Sequence, residues 1–183
     1  MKRIRAVTVL ALIIITIVVL VNQRDAIEHA AYPQEYQEYV SDAAEKYDLE
    51  EALIFAVIHT ESHFDPDAKS GANAMGLMQI TKDTFFFVNS KDSRGDLPLD
   101  LLYDPEVNID TGSYFLRWLI DDFGNTDTAI AAYNAGRTTV RKWLADDRYS
   151  KDGVTLYDIP YKETKDYVKK VNSAYLVYKD LYY

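Results

Sequence analysis

The chain has 183 residues, 48% of them hydrophobic and 27% charged, which is room for one domain with a packed core. That composition excludes a wholly disordered chain, a collagen-like repeat and a multi-pass membrane protein, and the absence of cysteine excludes a disulfide scaffold, a lipid-anchor cysteine and a zinc–thiolate site. The formal charge is −9, and because Lys2, Arg3 and Arg5 precede an apolar run, the remainder carries −12, a poor match to a phosphate backbone, so nucleic acid is not an expected partner.

Residues 1–21 read as an N-terminal membrane anchor. From Ile4 to Val21 the apolar run is interrupted only by Arg5, Thr8 and Thr16. A helix of ~18 residues is ~27 Å long, close to the ~30 Å hydrocarbon thickness of a bilayer. A cleaved signal peptide would start the same way, but Asn22-Gln23-Arg24-Asp25 offers no small-residue cleavage site. The sequence therefore favours a single-pass anchor in the cell membrane, with the acidic body extracytoplasmic; cleavage would make the same body a secreted one. Residues 22–33 follow as a short polar tether with a reach of at most ~40 Å, and residues 34–183 carry the domain.

Within that domain the spacing predicts helices throughout. Pro33 opens one to about Tyr47, with Tyr36, Val40, Ala43, Ala44 and Tyr47 on one face. Asp48 and Glu51 resemble a capping box for the next, whose apolar residues are Leu53, Ile54, Val57 and Ile58 and which must stop near His63, before Asp65-Pro66. Residues 65–80 form a loop of small residues, and a short helix covers about Thr81 to Val88. Asp104-Pro105 starts a longer one with Ile109, Phe115, Leu116 and Leu119 inward. Thr128 to Ala135 forms another, stopped by Gly136, and a last helix runs from about Lys162 to the C-terminus. No hairpin signal is present. The fold class is all-α.

Four segments carry chemistry: residues 58–64, 70–80, 131–136 and 159–168. Glu61 falls at the C-terminal end of an apolar helix, where desolvation and the negative helix end both oppose ionisation. Raising a glutamate pKa from ~4.3 to ~6 takes ~2.3 kcal/mol, and such a group is a general acid near neutral pH. Gly76 lets backbone approach a ligand closely, Met78 offers a soft apolar surface, and Gln79 both donates and accepts. Tyr133 and Asn134 add a hydroxyl and an amide at the end of a small-residue helix. Each segment taken singly also reads as plain structure: a solvated helix-end glutamate, a tight turn, a helix stop.

Taken in order, the segments Glu61-Ser62-His63-Phe64, Ser70 nine residues on, Ala74-Met75-Gly76-Leu77-Met78-Gln79, Ala132-Tyr133-Asn134-Ala135-Gly136 and Pro160 through Glu163-Thr164 to Tyr167-Val168 resemble the catalytic domain of the soluble lytic transglycosylase (SLT) family, whose fold is goose-lysozyme-like. The resemblance runs from about Tyr36 to Tyr178. It implies that Glu61 is the catalytic acid, that Ser70 hydrogen-bonds near it, that Met78, Gln79, Tyr133 and Asn134 line a glycan groove, and that Glu163 and Tyr167 close the site from the last helix. Asn73 departs from the family, which often has glycine there, but asparagine tolerates the left-handed region.

The implied reaction cleaves the β-1,4 bond between N-acetylmuramic acid and N-acetylglucosamine. Glu61 protonates the glycosidic oxygen, and the resulting carboxylate deprotonates the muramic acid C6 hydroxyl, which attacks C1 to form a 1,6-anhydro ring. No cofactor is implied. The implied partners are peptidoglycan glycan strands and the membrane, with any cell-wall or secretion-machinery protein left open. Asp65, the nearest acidic residue, reads as a loop cap rather than a second catalytic carboxylate. His59 and His63 are spaced i, i+4, but Glu61 is ~200° round the helix from His59, unlike the glutamate of a zinc-hydrolase motif, so no metal site is expected. A hydrolytic muramidase and a non-catalytic peptidoglycan-binding factor are the rival readings.

Overall fold

The computed structural model describes residues 16, 17, 19, 23–92, 95 and 97–183, and the chain divides into two units, Met1–Pro33 and Gln34–Tyr183. In the first, residues 23–31 are helical (α1), with Arg24 paired to Glu28 at 2.7 Å. At 1.5 Å per residue this stretch spans only about 14 Å, so the tether reaches less far than an extended chain would. Apart from residues 16, 17 and 19, the apolar run expected to be an anchor lies outside the described residues. Among the described residues no helix is long and apolar enough to cross a membrane.

The second unit is all-α among its described residues. Its elements are α2 (Gln37–Tyr47), α3 (Glu51–Glu61), α4 (Lys82–Lys91), a 3₁₀ turn (Leu99–Tyr103), α5 (Pro105–Phe123), α6 (Thr126–Ala135), α7 (Arg137–Leu144) and α8 (Lys162–Tyr182). Isolated bridges at Lys69–Met75 and Met75–Ile80 fold back the loop between α3 and α4. Helix α3 is the centre. Ala52 through Ile58 are all buried, so the helix is enclosed on every side rather than amphipathic. Helix α8 packs along it, α2 packs on α5, and α6 bridges α5 to α8.

Local chemistry explains most boundaries. Asp104 Oδ1 accepts the Val107 amide at 3.0 Å with Pro105 in the first turn, as the sequence predicts. Asn125 Oδ1 accepts the Thr128 amide at 2.9 Å, which starts α6 two residues ahead of Thr128. Two expectations fail at the start of the domain. Helix α2 begins at Gln37 rather than Pro33, because Tyr36 turns left-handed (φ 60°). Asp48 is also left-handed (φ 51°) and closes α2 through its amide to the Ala44 carbonyl, so no capping box forms. Glu51 instead accepts from Ser41, Gln37 and Tyr183 at 2.8, 2.8 and 2.7 Å, tying the C-terminus to α2 and α3. Helix α7, absent from the sequence reading, follows Gly136 directly. Ile109, Leu116 and Leu119 are buried as predicted, whereas Phe115 is only half-buried.

Candidate active site

Glu61 is the last residue of α3, the point at which the buried helix meets the surface. Burial pushes its carboxyl up from the ordinary 4.5 to about 7; the opposing influence is the Tyr167 hydroxyl, which donates to Oε1 at 2.7 Å and favours the charged form. Among the described residues no Lys, Arg or His pairs with it. The chain then reverses abruptly, with His63 (φ 52°) and Phe64 (φ 66°) both left-handed, a costly conformation for bulky residues. Phe64 is buried against Phe55 at 6.2 Å, and the Ser62 hydroxyl donates to the Leu77 carbonyl at 2.8 Å. These contacts fix the end of α3 to the loop that faces it. Nothing in the spacing of Ser62 in the sequence signals that task.

The loop of residues 65–80 is built from inside by Asn108. Its Nδ2 donates to the Met75 and Leu102 carbonyls at 2.9 and 2.7 Å, and its Oδ1 accepts the Met78 amide at 2.8 Å. The side chain is completely buried, and no sequence signal singled it out. The close approach that Gly76 permits is therefore to Asn108 and Leu102, not to a ligand. Met78 is likewise fully buried, its Sδ against Gly112, rather than lining an open groove. What it turns toward the site is its carbonyl, which accepts the Tyr133 hydroxyl at 2.9 Å. Gln79 is left-handed (φ 49°) and half-buried, with Nε2 donating to the Ala68 and Gly76 carbonyls at 3.1 and 3.0 Å. Ser70 is exposed, and its hydroxyl accepts the Ala74 amide at 3.1 Å; among the described residues no hydrogen bond joins it to Glu61. Asn73 takes the left-handed turn (φ 59°), as its chemistry allows. Asp65 caps its own loop, accepting the Asp67 amide at 3.0 Å.

Two tyrosines from different helices flank the acid. Tyr133 comes from α6 and Tyr167 from α8; burial, and then the charge of Glu61, raise both phenols well above the usual tyrosine range, so both are neutral donors. Asn134 is exposed at the end of α6, and its Oδ1 accepts the hydroxyl of buried Thr164 at 2.8 Å. Thr164, whose spacing carries no sequence signal for this task, thus joins α6 to the first turn of α8. Its neighbour Glu163 is exposed, one helical turn ahead of Tyr167. The structure therefore gathers Glu61, Tyr133, Tyr167 and the Met78 carbonyl, with Asn134 and Thr164 beside them. Ser70 and Gln79 shape the loop.

Among the described residues no three His, Asp or Glu side chains converge to hold a metal. The His59 and His63 rings lie 4.8 Å apart with their planes tilted by 42°, and His59 also packs edge-on against Phe64 at 6.5 Å and Tyr178 at 6.3 Å. What the arrangement can do chemically is deliver a proton at neutral pH from a partly desolvated carboxyl and receive one back.

Residues 38–155 match the family model described as the transglycosylase SLT domain. The chain is 33% identical over 190 residues to membrane-bound lytic murein transglycosylase C of Serratia proteamaculans, covering 90% of this chain and 51% of that protein. It is 36% identical over 146 residues to the soluble lytic murein transglycosylase of Salmonella typhimurium, covering 76% of this chain and 22% of that one. Among solved structures, an inactive variant of lytic transglycosylase Slt from Pseudomonas aeruginosa aligns with a TM-score of 0.73 at 34% identity, over 82% of this chain and 25% of that chain. The 70 kDa soluble lytic transglycosylase of Escherichia coli aligns with a TM-score of 0.75 at 28% identity, over 84% and 25%. The chain thus spans about half the length of the membrane-bound relatives and a quarter of the soluble ones.

Proposed function

The chain belongs to the transglycosylase SLT family, and from that membership we propose that it is a peptidoglycan lytic transglycosylase, cleaving the β-1,4 bond from N-acetylmuramic acid to N-acetylglucosamine and leaving 1,6-anhydro ends. The observation that carries the reading is the Glu61 carboxyl, raised by burial to about 7 and paired only with the Tyr167 hydroxyl among the described residues. Protonated, it donates to the glycosidic oxygen as the C1–O4 bond breaks. The carboxylate so formed takes the proton from the muramic acid C6 hydroxyl, whose oxygen bonds to C1. Glu61 ends the cycle protonated and no water is consumed. Ordinary glycosidases divide this work between two carboxylates. Here Asp65 is occupied by its own loop, and the substrate's C6 hydroxyl supplies the nucleophile.

Tyr167 holds the Glu61 carboxyl, and Tyr133 fixes the Met78 carbonyl beside it. Asn134 and Glu163 on the helices, and Gln79 and Ser70 on the loop, are assigned as contacts for the glycan, with Met78 contributing backbone rather than side chain. The body, from residue 34 onward, acts outside the cell on peptidoglycan strands, with the apolar run of residues 1–21 as its single-pass anchor in the membrane; membrane-bound relatives support that placement. The test is mass spectrometry of muropeptides released from purified sacculi by the full chain. Anhydro-terminated products are expected, and products heavier by one water (~18 Da) would identify a hydrolase instead. Release must vanish in Glu61→Gln.

A further inference from the structure

Charge is divided unevenly along the domain. Residues 34–136 hold 6 Lys and Arg against 20 Asp and Glu, a net of −14, whereas residues 137–183 hold 10 against 7, a net of +3. Half of those basic residues lie on α8. At ~100° per residue, Lys162, Lys165, Lys169 and Leu176 fall about 160–220° round that helix from Tyr167, on the side opposite the one that meets Glu61. All four are exposed, Leu176 to 65%, and the stripe they form is about 21 Å long. Lys162 and Lys165 pair with Asp166 and Asp158 at 2.5 and 2.6 Å, while Lys169 and its exposed neighbour Lys170 make no ion pair among the described residues. Beside the stripe, residues 156–159 and α8 enclose a groove of about 470 Å³. Its apolar lining is Leu156, Tyr157, Ile159, Val168 and Leu176, and Tyr157 is 56% exposed. Its two acids are engaged, Asp158 by Lys165 and Asp127 by the Asn172 amide at 3.0 Å. An exposed leucine and tyrosine beside lysines match a lipid interface, which is apolar within and anionic at its surface.

We propose that this face of α8 rests on the anionic headgroups of the bilayer, with Leu176 and Tyr157 entering the interface and Lys162, Lys165 and Lys169 beside the phosphates. The proposal rests on the anchored reading of the chain above and adds an orientation to it. A tether of at most ~40 Å keeps the body close to the bilayer. There an anionic surface repels the part of the domain that carries −14 and attracts the part that carries +3. Screening confines that attraction to groups within ~8 Å of the surface, which favours exposed side chains such as these lysines. Docked in this way, the domain holds Tyr167 and Glu61 on the side of α8 away from the lipid, where glycan strands lie. A wall strand or a second copy of the chain would also cover apolar residues, but neither makes the contact depend on lipid charge.

The chain has no cysteine, so a fluorophore on Ser173→Cys, exposed between Lys169 and Leu176, reports this face alone. Asp83→Cys, exposed on α4, which packs against α5, reports the acidic part. The full chain is reconstituted into vesicles of phosphatidylcholine, alone or mixed with phosphatidylglycerol, that carry a lipid-borne quencher. Quenching at position 173 is expected with phosphatidylglycerol, and it should largely disappear without it or at ~1 M salt, where the screening length falls to ~3 Å. Lys169→Glu with Lys170→Glu should abolish it, and Leu176→Ser should weaken it. The label at position 83 should stay unquenched throughout. Equal quenching at the two positions overturns the docking face, as does quenching at 173 that ignores lipid charge and both variants. A change at 173 that needs no lipid and grows with protein concentration assigns the face to a second copy and overturns it too. Alkaline carbonate extraction reads the anchor separately. A chain that carbonate releases, yet is quenched at 173 on phosphatidylglycerol, loses the anchor and keeps the face; a retained chain with no quenching there loses the face and keeps the anchor.

Discussion

Gly76 and Asn108 fill complementary space: a Cβ on Gly76 would lie 2.3 Å from Asn108 Nδ2 and 2.2 Å from the Leu102 carbonyl oxygen. The glycine is also left-handed, at φ 72°. The small residue in the loop therefore serves the inside of the protein, letting one buried asparagine gather three backbone groups and set the path of the chain opposite Glu61.

Gly76→Ala should consequently be far costlier than a surface glycine substitution. It adds the strain of a positive φ to a contact with backbone oxygen that cannot move aside, and it disturbs a buried amide whose every partner is internal. A loss of about 2–4 kcal/mol is expected, lowering the melting temperature by several degrees, with activity falling alongside. Gly71→Ala is the control, because nothing lies within 4 Å of a Cβ there. Similar melting temperatures for the two variants would contradict this account of the loop.

The pH profile follows from the burial of Glu61. Its carboxyl must carry a proton to act as the acid, and its pKa is about 7. Cleavage should therefore be sustained below that value and fall as pH rises through it. Tyr167 donates to Oε1 and so favours the ionised form. Tyr167→Phe removes that donor, and the alkaline limb should move upward by about one unit, for a hydrogen bond of ~1.5 kcal/mol to a charged acceptor. An alkaline limb that stays in place in Tyr167→Phe would show that the phenol does not bear on the acid.

Much of this site is legible in the sequence, and the remainder is not for identifiable reasons. Glu61 could be found because helix periodicity, the Asp65-Pro66 stop and local motif order are all short-range signals. Asp104 and Gly136 declared helix ends for the same reason. Asn108 is invisible beforehand: it is a polar residue inside a helix, and its meaning lies in carbonyls at Met75 and Leu102 that only the folded chain brings to it. Met78 misleads because a polarizable side chain in a glycine-rich loop suggests ligand contact, whereas Gly112 on α5 leaves a niche of its size. Helix α7 is hidden in the sequence because Gly136, at φ 85° and ψ 139°, both ends α6 and starts the next helix, leaving no loop to signal a second element. Asp48 could either end α2 or begin α3, and the tertiary bonds made by Glu51 take the place of the box.

Glu61 should also cost the folded protein stability. Its folded pKa of about 7 exceeds the ordinary 4.5, so between these values the folded state holds the proton that the unfolded chain has lost. Stability then declines as pH rises through that window and levels off above it. Glutamine cannot ionise and still accepts from Tyr167. Glu61→Gln should melt with the parent near pH 4 and above it at pH 8, by at most about 3 kcal/mol once solvent access is allowed for. Thermal melts at both pH values check this, and a constant offset between the two proteins would argue against a desolvated acid.

Thr164 and Asn134 provide the last case, in which placement rather than chemistry is at issue. Thr164 is 2% exposed, and its hydroxyl donates to Asn134 Oδ1 at 2.8 Å, joining the end of α6 to the first turn of α8. Tyr167 follows three residues later on the same helix, so the bond sets where its phenol meets Glu61. Thr164→Val preserves shape and removes the donor, leaving the Asn134 carbonyl oxygen on the exposed side to water, at a cost of about 1 kcal/mol. Asn134→Ala removes the acceptor from the exposed side. If the two groups act on each other, the double variant should lose less than the two single losses combined, with a coupling of about 1 kcal/mol in denaturant melts. The alkaline limb of the rate profile should also move upward in Thr164→Val, as in Tyr167→Phe but by less, because a loosened α8 weakens the Tyr167 bond that favours the Glu61 carboxylate. Strict additivity, with an unmoved pH profile, would reduce Thr164 to ordinary packing.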